Sequence, residues 1–188
     1  MHVTIDELVE KGFLRQVKVL KAPEFVMDYG KKQYPTLFKK QCFSQEGLPA
    51  FHCQDNSICV VKAMREKGED DWHIVPGFAW NPNLNGPTPH LWVRKGKLHY
   101  DPTWSLQFFN FEFKNLEHYQ LIQYLDTLPK EPEENNPDEI NVWGKTTLKR
   151  LEDLAAQWGL YIHNQFSFTP GQLESGKSQL QGRDYGDY

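Results

Sequence analysis

The sequence contains no apolar run long enough to cross a membrane. Its hydrophobic stretches are short and broken by charges, whereas a spanning helix needs roughly 20 consecutive apolar residues. An excess of positive charge is also missing. Lys and Arg number 21 against 25 Asp and Glu, a formal net charge of -4, which leaves no basic footprint for nucleic acid. Cysteine is scarce and odd in number; three argue against a disulfide framework and fit a reducing, cytoplasmic setting. Met1-His2-Val3-Thr4-Ile5-Asp6 lacks the basic and then apolar regions of a secretion signal, which points the same way. No internal repeat is visible. A membrane protein, a nucleic-acid binder and a disulfide-stapled secreted module are therefore disfavoured, and the oligomeric state stays open.

What is present is enough for a folded domain. The 188 residues are 39% hydrophobic and 14% aromatic, which supports one substantial core. The expected organisation is a single domain over 1–168 followed by a polar tail over 169–188, where Gly, Gln, Ser and charge show no periodicity. Thr4-Ile5-Asp6-Glu7 has the capping-box form and should open a short helix stopped by Gly12. Leu14 to Leu20 partly alternates, as an edge strand would. Asp55, Asn56 and Ser57 are acceptable N-caps for the helix that follows. That helix, Ile58-Cys59-Val60-Val61-Lys62-Ala63-Met64, is apolar on almost every side and should be buried, ending near Lys67.

Trp72 to Trp80 reads as a strand, with Pro76-Gly77 marking an edge or bulge. Asn81 to Pro89 has loop composition. Two strands then flank Lys95-Gly96 as a hairpin, and Phe108 to Phe113 alternates like another strand. Leu116, Tyr119, Ile122 and Leu125 recur at helical spacing behind Asn115, and a last helix is expected from about Thr147 to Trp158. Pro129 to Asp138 should be a surface connection. The order of elements predicts an α+β fold, a buried helix packed on an antiparallel sheet.

Three residues at the ends of these elements could carry chemistry. Cys53 stands at the head of the buried helix, where free N–H groups and the positive end of the dipole favour a thiolate and can hold an oxyanion. His90 begins one hairpin strand and Asp101 ends the other. Pairing around Lys95-Gly96 sets them directly opposite each other, so that a carboxylate can orient the ring. A thiol nucleophile, a base and an orienting carboxylate are what acyl transfer through a thioester requires. Each also has a plainer reading: a small core cysteine, a hydrogen-bonded strand histidine, a turn aspartate before Pro102. Cys59 reads as core and Cys42 as a possible second reactive thiol. His99 reads as a solvated strand residue, and Trp72, Trp80, Trp92 and Trp104 as core and rim. His52, Cys53, Cys59 and His73 supply zinc-ligand types but lack the paired spacing of a structural site.

Cys53-Gln54-Asp55-Asn56-Ser57, Pro89-His90-Leu91-Trp92-Val93 and Tyr100-Asp101-Pro102-Thr103-Trp104 resemble the transglutaminase-like branch of the papain-like cysteine enzymes. The resemblance covers Phe51 to Trp104. It implies a papain-like core, with Cys53 as nucleophile, His90 as general base and then acid, and Asp101 as ring orienter. Leu91 departs from the pattern, since many relatives carry a small residue after the histidine. Gln41, Gln45 and Gln54 are the candidates for a side chain in the oxyanion hole. The implied activity is that of a cysteine hydrolase or acyltransferase on a peptide or other amide substrate: a peptidase, an amidase or deamidase, or a transglutaminase-type enzyme. Neither metal nor organic cofactor is expected. The competing expectation is a binding module that keeps the fold without turnover and uses Asn81 to Pro89 as its contact surface.

Overall fold

The computed structural model describes residues 3–24, 53–80, 87–105, 117–132 and 137–160. The expected strand at Phe108 to Phe113, the polar tail, Cys42, Gln41, Gln45 and most of the Asn81 to Pro89 segment lie outside these residues. The chain forms, in order, α1 (Ile5–Glu10), β1 (Leu14–Val17), β2 (Val19–Lys21), α2 (Cys53–Glu66), β3 (Trp72–Trp80), β4 (Thr88–Lys95), β5 (Leu98–Asp101), the single turn α3 (Pro102–Ser105), β6 (Glu117–Leu121) and α4 (Pro137–Trp158). The fold is α+β. Among the described residues no helix is long and apolar enough to cross a membrane.

The capping box forms as its sequence requires. Thr4 N–H donates to Glu7 Oε2 at 2.7 Å, and Glu7 N–H donates to Thr4 Oγ1 at 3.3 Å. Gly12, at φ 76, then turns the chain into β1.

The six strands make one curled sheet in the order β1-β6-β3-β4-β5-β2, antiparallel except for the β2–β5 pair. Leu14 to Leu20 is thus not one edge strand. It is split at Lys18 into β1 and β2, which lie on opposite edges of the sheet. A single residue spans only roughly 7 Å between its neighbours, so the edges must approach each other there. That is what curls the sheet.

One face of the sheet is covered by helices. Ile58, Cys59, Val61 and Met64 of α2, with Ile140 and Trp143 of α4, pack on Trp72, Ile74, Leu91 and Val93. Ile5 and Leu8 of α1, with Leu151, Leu154 and Ala155 farther along α4, pack on Leu14, Phe78, Tyr119 and Leu121. Leu148 touches both clusters, so α4 ties the two halves together. It starts ten residues before the expected Thr147, at Pro137, a residue whose fixed φ suits the first helical turn.

Two sequence expectations are corrected by the sheet. The helix expected behind Asn115 is not formed over its described residues: Glu117–Leu121 is a strand between β1 and β3, and only a single 3-10 turn follows, at Leu125–Thr127. Such a strand is covered on both faces, and so its polar alternation is weak and its apolar residues mimic a helical period. Pro76-Gly77 makes no bulge, since the β3–β4 register runs without a break from Trp72↔Lys95 to Ala79↔Thr88. The pairing with β6 begins only at Gly77, so Pro76 lies one residue beyond that ladder, where a missing N–H is tolerated.

Gly77 has a different reason. A Cβ there would stand 2.2 Å from the Tyr119 carbonyl oxygen and 2.6 Å from the Trp92 ring. Its bareness lets Trp92 lie across β3 and meet His118 edge-on at 5.0 Å between centroids.

Candidate active site

α2 begins at Cys53 and runs to Glu66, one residue short of the expected end. Asp55, Asn56 and Ser57 are therefore inside the first turns and not N-caps. All three are buried, and two of them moor the helix. Asn56 Nδ2 donates to Thr103 Oγ1 at 3.2 Å, and Ser57 Oγ donates to the Leu91 carbonyl at 3.1 Å. These bonds hold the start of α2 against the beginning of β4 and the end of β5, where His90 and Asp101 stand. Gly144 of α4 completes the wall. A Cβ there would come 2.3 Å from Gln54 Cγ, so a glycine lets α4 close on the residue beside Cys53.

His90 and Asp101 meet as expected, but through a different register. The hairpin pairs Val93 with Tyr100, Arg94 with His99 and Lys95 with Leu98, around Gly96 at φ 56. The strands are thus two residues out of step with direct opposition, and the pair lies on a diagonal. Because side chains alternate with period two, both still point to the same face, the one opposite α2 and α4. His90 Nε2 lies 2.7 Å from Asp101 Oδ2, and both residues are 0% exposed.

The electrostatics follow from that contact. Burial alone would lower the His90 pKa, but the Asp101 charge and hydrogen bond, with a smaller contribution from Cys53, raise it to about 9. For Asp101, burial works upward, and His90 and His118 together outweigh it to hold the carboxyl at about 2. The pair is an imidazolium and a carboxylate at neutral pH. His90 Nδ1, on the other side of the ring, has no hydrogen-bond partner. With Nε2 engaged by Asp101, Nδ1 is the nitrogen left for the Cys53 thiol, which acts on this ring from the head of α2. Cys53 itself is 6% exposed and donates to Gln54 Oε1 at 3.6 Å. Of the oxyanion-hole candidates, Gln54 alone is among the described residues, and it lies beside the thiol.

His118 was not anticipated. It projects from β6 and its Nε2 lies 2.8 Å from the same Asp101 Oδ2, with 1% exposure. Burial is the main cause that lowers its pKa, the Asp101 contacts opposing, and so it serves Asp101 as a neutral N–H donor. His90, Asp101 and His118 also form, among the described residues, a group whose metal-ligating atoms lie within 4.8 Å of one another. Both Nε2 atoms are already spent on one carboxylate oxygen, so a cation could enter only by displacing two hydrogen bonds. Of the zinc-type set drawn from the sequence, His52 lies outside the described residues and the other three do not assemble: Cys59 is sealed in the core at 0% exposure, and His73 Nδ1 lies against Arg65 at 3.3 Å. His99 is a further correction. It is buried on the face shared with Asp101, and its Nδ1 accepts from Trp92 Nε1 at 3.0 Å. Trp72 and Trp92 are core, as expected.

Compared with family models, characterised proteins and solved structures, the chain gives no match.

Proposed function

We propose that this protein is a cysteine-dependent enzyme of the transglutaminase-like branch, with a papain-like core, that acts on a peptide or other amide through a thioester. One observation carries the reading: a buried His90 bonded at one nitrogen to Asp101 at 2.7 Å, open at the other, with Cys53 acting on it from a helix start. In the first step Cys53 Sγ, its proton already given up to His90 Nδ1, attacks the amide carbonyl carbon as a thiolate. Asp101 holds the resulting imidazolium, which then protonates the departing amine as the C–N bond breaks. Water or an acceptor amine attacks the thioester carbon, gives its proton to His90 and releases the thiol. Water makes the protein a peptidase, amidase or deamidase; an amine makes it a crosslinker. The α2 N–H groups are the natural donors to the oxyanion. The free Cys53 and Cys59 agree with a cytoplasmic setting.

The test is thiol reactivity. Incubation with iodoacetamide at neutral pH and peptide mapping should label Cys53 ahead of Cys42 and Cys59, and His90→Gln should slow Cys53 by about tenfold or more. Equal labelling rates in the two proteins, or an inert Cys53, overturn the proposal. A second reading is favoured by burial: with Cys53 6% exposed and the pair at 0%, the fold could serve as a binding module that never turns over. An inert Cys53 is its signature.

A further inference from the structure

The sheet also holds a second cluster. Arg15 faces Gln120 across β1 and β6, and Arg94 faces His99 across β4 and β5. By register all of these lie on the face that carries His90. Together with Lys18, where the chain crosses between the sheet's edges, and Lys97 in the β4–β5 turn, they line an open pocket of about 710 Å³. Four cations share this pocket and no carboxylate lines it. Among the described residues none of the four is paired with an acidic side chain. Elsewhere, exposed cations such as Lys95 and Lys149 are paired with carboxylates. Gathered like charges repel one another, and a bound counter-ion relieves them.

His99 adds a donor of fixed direction. Trp92 Nε1 can only donate, so His99 Nδ1 must accept, and a neutral ring then carries its proton on Nε2. Burial first, then Arg94 and His118, lower the His99 pKa to about 4, so the ring is neutral at pH 7. The pocket therefore offers two guanidinium groups, two ammonium groups and an imidazole N–H, the donors that multivalent oxyanions take.

We propose that this pocket binds a small molecule through a phosphate or pyrophosphate group. A long polyanion fits less well, because the chain as a whole, these four cations included, still carries a net charge of -4 and repels it outside the pocket.

The experiment is calorimetric titration of the full chain with inorganic pyrophosphate in low-chloride buffer at neutral pH. Saturable binding with Kd near or below about 1 mM is expected, weakened about tenfold or more in the Arg15→Gln/Lys97→Gln double variant. Both positions are exposed, so folding is not at stake, and circular dichroism confirms it. Lys149→Gln, on the outer surface of α4, should bind as the parent does. The His99 ring resonances should shift on titration. Absence of saturable binding, equal weakening by Lys149→Gln, or tighter binding of a short single-stranded oligonucleotide at the same residues would each overturn the proposal.

Discussion

The buried His90–Asp101 pair makes stability fall on the alkaline side of neutrality. His90 titrates at about 9 in the folded protein, against 6.5 for a free imidazole. Its folded pKa is raised, so its contribution is fully present below 6.5 and is lost as pH rises through 9. Between those values the folded chain holds one proton more than the unfolded chain. Stability then drops by about 1.4 kcal/mol per pH unit, or about 3 kcal/mol in all. For a chain of this size each kcal/mol moves Tm by roughly 2–4 °C, so a fall of roughly 6–12 °C is expected. Urea melts at constant ionic strength, from about pH 6 to about pH 10, measure it. Asp101→Asn is the control: an amide offers the ring no charge, so the variant starts lower and lacks this slope. The difference between the two proteins isolates the pair from other titrating groups. Should the variant not fold, the His90 ring resonances of the parent supply the pKa directly. A flat parent profile, a slope identical in both proteins, or a ring titrating near 6.5 would refute the electrostatic account.

Cys59→Ala should cost on the order of 1 kcal/mol in a denaturant melt, since Cys59 is sealed inside α2, and should leave iodoacetamide labelling of Cys53 unchanged. Gly77→Ala should destabilise by about 3 kcal/mol or fail to fold, because the contact at 2.2 Å is with the Tyr119 backbone and cannot be relieved by a rotamer change. Gly144→Ala presses only on the flexible Gln54 side chain at 2.3 Å, so a loss nearer about 1 kcal/mol is expected, with the Cys53 labelling rate altered as Gln54 moves. His118→Phe removes a hydrogen bond to a buried carboxylate and should cost about 2 kcal/mol at pH 7. Asp101 has a depressed pKa, so the His118 contribution is present above 3.8 and disappears as pH falls toward 2, where the parent and His118→Phe melts should converge.

Much of the fold was legible where local chemistry dictates structure. The capping box at Thr4, the long β3, the apolar α2 and the apolar face of α4 were each written in short-range pattern. Strand order was not. That β1 and β2 part at Lys18 to opposite edges depends on which strands curl around to meet them, and no residue near Lys18 encodes it. The pocket lined by Arg15, Lys18, Arg94 and Lys97 was invisible for the same reason, since its cations come from the β1–β2 crossing and from the β4–β5 hairpin, which only the curl brings together.

The site shows where a wrong detail can still give a right contact. Reading the hairpin two residues out of step leaves His90 and Asp101 on one face, because a strand's side chains repeat every two residues. A slip of one residue would have put them on opposite faces. The same parity rule shows why His99 was misjudged: it lies two residues from Asp101, so the face that buries one buries the other. His118 was beyond reach by this route. A buried carboxylate has more lone pairs than His90 fills, so the sequence implied further donors to Asp101 without naming them. Naming one required β6 to be a strand and to lie beside β3, with a glycine at position 77 leaving room for Trp92 and His118 to touch across it. The Asp101 environment is therefore a property of the sheet as a whole, built from β4, β5 and β6 together. Substitutions far from position 101 along the chain, but next to it in the curl, should move its pKa and that of His90.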